Sequence, residues 1–128
     1  MAAEPRPLRV LVVEDDAVIR ETLREVLDDE GFATEGAGSL DEARAAIATS
    51  CPAVLILDLM LRDQTSEPLL RDLAAAADAP PTILMSAAWD AARIAGAHGV
   101  PLLGKPFDLD EALALVRRVL HDRARPRR

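Results

Sequence analysis

Short apolar runs recur along this chain and are separated by longer segments with a different pattern. Four runs are continuous, at residues 8–13, 53–57, 81–85 and 100–103, and a weaker run covers residues 32–37. Continuous runs of this length are typical of strands that are covered on both faces. The pattern therefore predicts five strands, of which the weaker one lies at an edge of the sheet.

The segments between the runs carry apolar residues at the spacing of one helix face. We expect helices around residues 19–27, 40–47, 69–73 and 109–120. A further helix, the fourth in chain order, falls within "WDAARIAGAHG", residues 89–99. It is predicted to be short because the segment has few large apolar residues and is interrupted by Gly96. The alternation predicts an α/β fold, with a parallel sheet, right-handed crossovers and helices on both faces.

Polar side chains follow each of the four continuous runs. They are Glu14, Asp15 and Asp16 after the first, Asp58 after the second, Ser86 after the third and Lys105 after the fourth. Each one alone, apart from Asp58, is explained equally well as a helix cap or a turn residue. Parallel strands, however, end at one edge of the sheet, which is where such folds bind ligands. The sequence therefore predicts a site at this edge.

Lys105 is the only lysine among fifteen basic residues. Lysine carries a compact point charge, whereas arginine carries a broad planar fork with donors in fixed directions. Gly104 and Pro106 flank it, which predicts a tight, specifically shaped turn. We expect this ammonium group to face the carboxylates at the same edge of the sheet.

Crowded carboxylates repel one another and raise one another's pKa, and a divalent cation relieves this. Carboxylates with a backbone carbonyl and water suit Mg²⁺, which takes its remaining ligands from a phosphate. A hydroxyl and an ammonium group opposite the metal would complete the partners of a phosphoryl group. Asp58 is then the expected nucleophile, forming an aspartyl phosphate.

Composition and charge limit the binding partners and the cellular compartment expected for this chain. The 22 acidic and 15 basic residues give a net charge of -7, which argues against direct binding of the core to nucleic acid or to an anionic membrane. No run reaches the roughly 18 consecutive apolar residues of a membrane span, and "MAAEPRP" lacks the apolar core expected of a secretory signal. The single cysteine, Cys51, is expected to pack at a strand edge in a reducing compartment. We expect a cytoplasmic protein.

The ordered motifs "RVLVVEDD", "VLILDLMLRD", "ILMSA" and "GKPF" closely resemble the receiver domain of two-component response regulators (CheY-like). The resemblance covers nearly the whole chain. It implies a flavodoxin-like three-layer sandwich with strand order 2-1-3-4-5. It also implies a single receiver domain over residues 1–128, with a leader at 1–7, a folded core at 8–121 and a basic tail at 122–128.

The resemblance also implies roles for individual residues. The Mg²⁺ ligands would be Glu14, Asp15, Asp58 and the backbone carbonyl of Met60. Asp58 would be the phosphoacceptor, Ser86 the switch hydroxyl and Lys105 the phosphate-binding lysine. Pro106 matches a proline that in this family usually follows a cis peptide bond. Asp16 is left with the ordinary role at the start of the first helix.

The chain departs from the family pattern in four places. Arg62 replaces a proline, Ser66 a glycine and Leu102 an aromatic residue. In addition, the stretch from Ser86 to Lys105 is shorter than usual, which agrees with a short fourth helix. The residues expected to carry out phosphoryl transfer are present, whereas residues that usually transmit the conformational change in this family are replaced.

The resemblance implies a signalling phosphoacceptor that assists its own phosphorylation and dephosphorylation, rather than an enzyme with a separate substrate. Its partners would be a histidine kinase or histidine phosphotransfer protein and a downstream target or effector domain. A homodimer through the last helices and strand is a further expectation. The sequence alone leaves open a stand-alone regulator or a domain of a longer chain.

Three other functions would use parts of the same pattern. A haloacid-dehalogenase-like phosphatase requires a second aspartate two residues after the first, where this chain has Met60. A nucleotide- or flavin-binding domain requires a glycine-rich loop after the first strand, where "EDDAVIR" stands. The remaining alternative is a pseudo-receiver, which keeps the fold as a protein-binding module without phosphorylation.

Overall fold

The computed structural model describes residues 6–124 of the chain. The strands are β1 (Arg9–Val13), β2 (Ala33–Ala37), β3 (Val54–Asp58), β4 (Met60–Leu61), β5 (Gln64–Thr65), β6 (Thr82–Ser86) and β7 (Leu102–Gly104). The helices are α1 (Ala17–Asp29), α2 (Leu40–Thr49), α3 (Glu67–Ala75), α4 (Ala91–His98) and α5 (Leu109–Ala124).

Five of the strands form one parallel sheet in the order β2-β1-β3-β6-β7. When only these five are counted, the order is 2-1-3-4-5, and the predicted flavodoxin-like fold is confirmed. The weak run at residues 32–37 forms edge strand β2, as predicted. The remaining two strands, β4 and β5, pair as a small antiparallel hairpin after β3, which the sequence analysis did not predict.

Alternate residues of each strand face opposite sides of the sheet and build two apolar layers. On one face, Val10, Val12, Val54 and Ile56 pack with buried residues of α1 and α5. On the other face, the intervening residues of β1 and β3 pack with α2, α3 and α4. All five residues of β3 are buried, because this strand lies at the centre of the sheet. Its last residue, Asp58, is thereby held rigidly at the sheet edge.

The fourth helix is short, as predicted, but it is regularly formed. It has eight residues and contains Gly96, and it ends where Gly99 adopts the left-handed conformation with φ 66°. The residues of α4 that are buried, Ala91 and Ala95, are both small. This helix is therefore anchored by little apolar surface.

Other expectations meet the structure with mixed results. Asp16 caps α1, since its side chain accepts hydrogen bonds from the N–H groups of Val18 and Ile19, as predicted. The expectation that Cys51 is packed is wrong, because it lies exposed in the loop before β3. Helix α5 continues to Ala124, past the predicted end of the core at residue 121. The rest of the predicted tail and most of the leader lie outside the described residues.

Within residues 6–124, no helix is long and apolar enough to cross a membrane.

Candidate functional site

The polar residues predicted to meet do lie at one edge of the sheet. Asp58 and Ser86 are the last residues of β3 and β6, and Glu14 and Asp15 directly follow β1. Lys105 directly follows β7, and its N–H donates to the carbonyl oxygen of Ser86 at 2.8 Å. The parallel register of the central strands therefore brings together side chains from four separate parts of the chain.

Lys105 joins two buried carboxylates. Its Nζ donates to Asp58 Oδ2 at 2.6 Å and to Glu14 Oε2 at 3.0 Å. The side chain of Lys105 is 20% exposed, against 2% for Glu14 and 7% for Asp58. A compact ammonium group can serve both acceptors from this narrow position, which accounts for a lysine where the chain elsewhere uses arginine. The Lys105–Pro106 peptide bond is cis.

Burial and crowding shift the ionisation of this cluster. Burial raises the pKa of Glu14 to about 7, and Asp58 adds to the shift while Lys105 opposes it. Burial alone lowers the pKa of Lys105, but its contacts with Asp58 and Glu14 outweigh burial and raise it. Burial therefore favours the neutral form of Glu14, and Lys105 offsets this only in part.

Three carboxylates are close enough to share one cation. Glu14, Asp15 and Asp58 each offer an oxygen, and these oxygens lie within 4.8 Å of one another. Hard anionic oxygens in this number suit Mg²⁺. The residues present therefore fit the predicted metal, on the chemistry of the donor set.

Met60 and Ser86 are predicted site residues whose side chains make no hydrogen bond to Asp58 or Lys105 within residues 6–124. The N–H of Met60 donates to Asp58 Oδ1 at 3.1 Å, while its side chain is 47% exposed. Ser86 Oγ accepts a hydrogen bond from the N–H of Ala88 at 3.0 Å. Among the contacts of residues 6–124, the Ser86 hydroxyl does not bond to Asp58 or Lys105. It therefore lies at the correct sheet edge but is engaged with the loop that leads to α4.

Arg62 is a site neighbour that the sequence analysis missed. It was noted only as a departure from the family pattern, yet its N–H donates to Asp15 Oδ2 at 3.0 Å. It is also the single non-glycine residue with positive φ between residues 6 and 124, at 57°. No local sequence signal marks this contact, because it joins residues 47 positions apart.

An apolar depression of about 480 Å³ lies beside the site. It is lined by Val18, Ile19, Thr22, Leu23, Ala87, Lys105, Pro106, Phe107 and Leu109. Its walls come from α1, from the loops after β6 and β7 and from the first residue of α5, and it shares Lys105 with the carboxylate cluster.

Comparisons with known proteins agree with this arrangement. Residues 10–117 match the response regulator receiver domain. The response regulator MprA of Mycolicibacterium vanbaalenii is 36% identical over 117 residues, which cover 89% of this chain and 51% of that protein. The chain thus spans about half the length of the curated relatives it matches.

Solved structures give the same result. The receiver domain of NtrX from Brucella abortus superposes with a TM-score of 0.80 at 29% identity, covering 88% of this chain and 98% of that one. The beryllofluoride-activated NtrC4 receiver domain dimer has a TM-score of 0.80 at 26% identity, covering 89% and 97%. The chain belongs to the response regulator receiver domain family of two-component signalling.

Proposed function

We propose that Asp58 accepts a phosphoryl group from a phosphohistidine donor and that this chain switches conformation in response. The observation that carries the proposal is the contact of Lys105 with both Asp58 and Glu14, beside a third carboxylate, Asp15. Helix capping accounts for none of these contacts, whereas phosphoryl transfer needs every one of the groups.

In the proposed reaction, a carboxylate oxygen of Asp58 attacks phosphorus in line with the donor imidazole. A P–O bond forms to Asp58 as the P–N bond breaks, and its electron pair passes to the imidazole nitrogen. Asp58 is held for this attack by its position at the end of β3 and by the N–H of Met60. Lys105 would follow the incoming phosphoryl oxygens, and the Ser86 hydroxyl would bond to another of them.

Glu14, Asp15, Asp58 and the carbonyl of Met60 would hold Mg²⁺. When bound, the ion neutralises charge that develops on the phosphoryl oxygens. The structure supports this assignment because one oxygen from each of the three carboxylates lies within 4.8 Å of the others. A bound cation would also favour the ionised form of Glu14 and so offset its raised pKa, which would let Glu14 act as a ligand.

The partners follow from the same chemistry. Asp58 is only 5% exposed, so a donor imidazole must enter between the surrounding loops. Three large apolar side chains at this edge are exposed: Val18 at 76%, Met60 at 47% and Trp89 at 94%. Such a rim favours a protein donor, a histidine kinase or histidine phosphotransfer protein, over a small molecule. We further propose a cytoplasmic setting and output through a target protein or effector domain. Pairing of two copies through α4, β7 and α5 is a further proposal.

Intact mass measurement tests the proposal. The protein is incubated with Mg²⁺ and acetyl phosphate, and the expected result is addition of one phosphoryl group. Asp58→Asn is the matched control and should remain unmodified, as should the wild type with excess EDTA. A wild-type protein that gains no mass would favour the second candidate, a pseudo-receiver that binds its partners without phosphorylation.

A further inference from the structure

Arg62 has a backbone conformation that its side chain disfavours. It is the first residue of the two-residue turn between β4 and β5, since Leu61 pairs with Gln64. Its φ of 57° is the value for which such turns normally use glycine, because a Cβ crowds the backbone there. Strained residues of this kind cluster at functional sites, where the surrounding structure holds them.

The turn aims one backbone donor at the carboxylate cluster. The N–H of Arg62 donates to Asp15 Oδ2 at 3.0 Å. Among residues 6–124, the side chain of Asp15 has no other hydrogen bond. It is also less deeply buried than Glu14 and Asp58, so fewer neighbours restrict its rotamer. Of the three clustered carboxylates, Asp15 therefore depends most on a single contact.

We propose that Arg62 is a positioning residue for the Mg²⁺ site and acts through its backbone N–H. The bond fixes Oδ2 of Asp15 and leaves Oδ1 without a hydrogen bond to residues 6–124. Mg²⁺ requires near-ideal octahedral geometry, so a ligand held in place before binding raises the affinity. This inference rests on the proposed function, because it concerns the metal site of that function.

The role belongs to the backbone rather than to the guanidinium group. The side chain of Arg62 is exposed and makes no hydrogen bond or ion pair with residues 6–124. Glycine at this position would keep the N–H and suit the positive φ. Proline is the usual family residue at this position, but in this chain the hairpin turn holds position 62 at φ 57°. Arg62→Pro would remove the N–H and fix φ near -65°, so the two substitutions separate the donor from the side chain.

The test is a Mg²⁺ titration by isothermal calorimetry of the intact chain. We expect Arg62→Gly to bind within about twofold of wild type and Arg62→Pro to bind about tenfold more weakly or worse. In an Asp15→Ala background, Arg62→Pro should cause no further loss. The inference is overturned if Arg62→Pro retains wild-type affinity, or if Arg62→Gly loses as much as Arg62→Pro.

A second measurement covers a proline variant that fails to fold. Amide hydrogen exchange should show the Arg62 N–H protected in wild type and unprotected in Asp15→Ala. An Arg62 amide that exchanges equally fast in both proteins overturns the inference. If wild type itself binds no Mg²⁺, the proposed metal site fails and this inference fails with it. Wild-type binding with unchanged Arg62→Pro affinity rejects the positioning role alone.

Discussion

At the scale of single residues, Lys105 gives the sharpest test of site geometry. Its ammonium reaches Asp58 and Glu14 from a position that is 20% exposed. The arginine fork is larger and its donors point in fixed directions, so it fits this narrow position less well than the ammonium group. We predict that Lys105→Arg keeps the charge but slows phosphorylation of Asp58 by about tenfold or more. It should also weaken the conformational response, and intact mass against time measures the first effect.

The matched control is the opposite substitution, arginine to lysine, at an exposed position. Arg117 makes an ion pair with Glu30 at 2.9 Å, and both side chains are about half exposed. Arg117→Lys should leave phosphorylation unchanged, because exposed ion pairs contribute little. If Lys105→Arg matches wild type in both rate and response, the argument from a point charge is wrong.

Glu14 carries a pH-dependent cost when no metal is bound. Its pKa rises from 4.5 to about 7 on folding, so the folded protein holds the proton more tightly than the unfolded chain. The resulting stabilisation is complete below pH 4.5 and is lost as the pH rises through 7. We predict that Glu14→Gln is more stable than wild type at pH 8 by about 1–3 kcal/mol, with a smaller difference at pH 5.

Urea denaturation in EDTA at pH 5, 6, 7 and 8 measures this difference. Glu25→Gln is the control, because Glu25 is exposed on α1 and lies outside the carboxylate cluster. A stability gain for Glu14→Gln that is constant across this range would reject the assignment of the shift to Glu14.

The sequence predicted the site residues that lie at the ends of strands, but not the one that lies in the turn between β4 and β5. Glu14, Asp58, Ser86 and Lys105 follow apolar runs, and a parallel sheet necessarily collects the residues at those positions. The N–H of Arg62 could not be predicted. Its direction depends on a positive φ at a residue that normally avoids it, within a two-residue turn that the apolar pattern does not mark.

At the scale of elements, the start of α3 contains an unsatisfied group. Ser66 is fully buried, and its Oγ has no hydrogen-bond partner among residues 6–124. It stands at the N-cap position but makes no side-chain capping bond. A buried hydroxyl without a partner is costly, so we predict that Ser66→Ala raises the free energy of unfolding by about 1 kcal/mol.

The same substitution at another helix start provides the control. Ser39 Oγ caps α2 by accepting from the N–H of Glu42 at 3.1 Å. Ser39→Ala should therefore lower stability by about 1 kcal/mol. Urea denaturation of both variants should give changes of opposite sign, and a loss of stability in Ser66→Ala would mean that its hydroxyl is satisfied in solution.

Element prediction succeeded where a pattern was long enough to have a period. The four strands were predicted because each is a continuous apolar run, and the helices between them because their apolar residues recur at helical spacing. The hairpin of β4 and β5 was not, because strands of two residues have no periodicity. Helix α4 was predicted, as a short helix, from a weaker pattern, because alanine fills its buried positions and gives a weak apolar signal although it favours helix.

At the scale of the whole molecule, the helices bury unequal amounts of apolar surface against the sheet. Helices α1 and α5 bury leucine and valine side chains against one face, whereas α4 buries only Ala91 and Ala95 on the other. Helices with little buried apolar surface open at low cost. The segment from Trp89 to His98 is therefore a part of this face that a change at the site can move at low cost.

The site is connected to that segment through Ser86. Its hydroxyl accepts from the N–H of Ala88, two residues along the loop to α4. A phosphoryl group on Asp58 would draw Ser86 and Lys105 towards its oxygens, and a rotated Ser86 would release that N–H. In this family an aromatic residue on the last strand usually follows the hydroxyl inwards. Here Leu102 occupies that position, partly buried against the core, and it has no ring to exchange between solvent and a pocket.

We therefore predict that the response to phosphorylation appears mainly in residues 89–103. Amide hydrogen exchange with Mg²⁺, with and without beryllofluoride as a phosphoryl mimic, should change protection there as well as in the loop after Asp58. Asp58→Ala should abolish both changes, which ties them to the site. Protection changes confined to the loop after Asp58 would mean that α4 is rigid, and Ser86 would then have no mechanical link to the helix that its loop precedes.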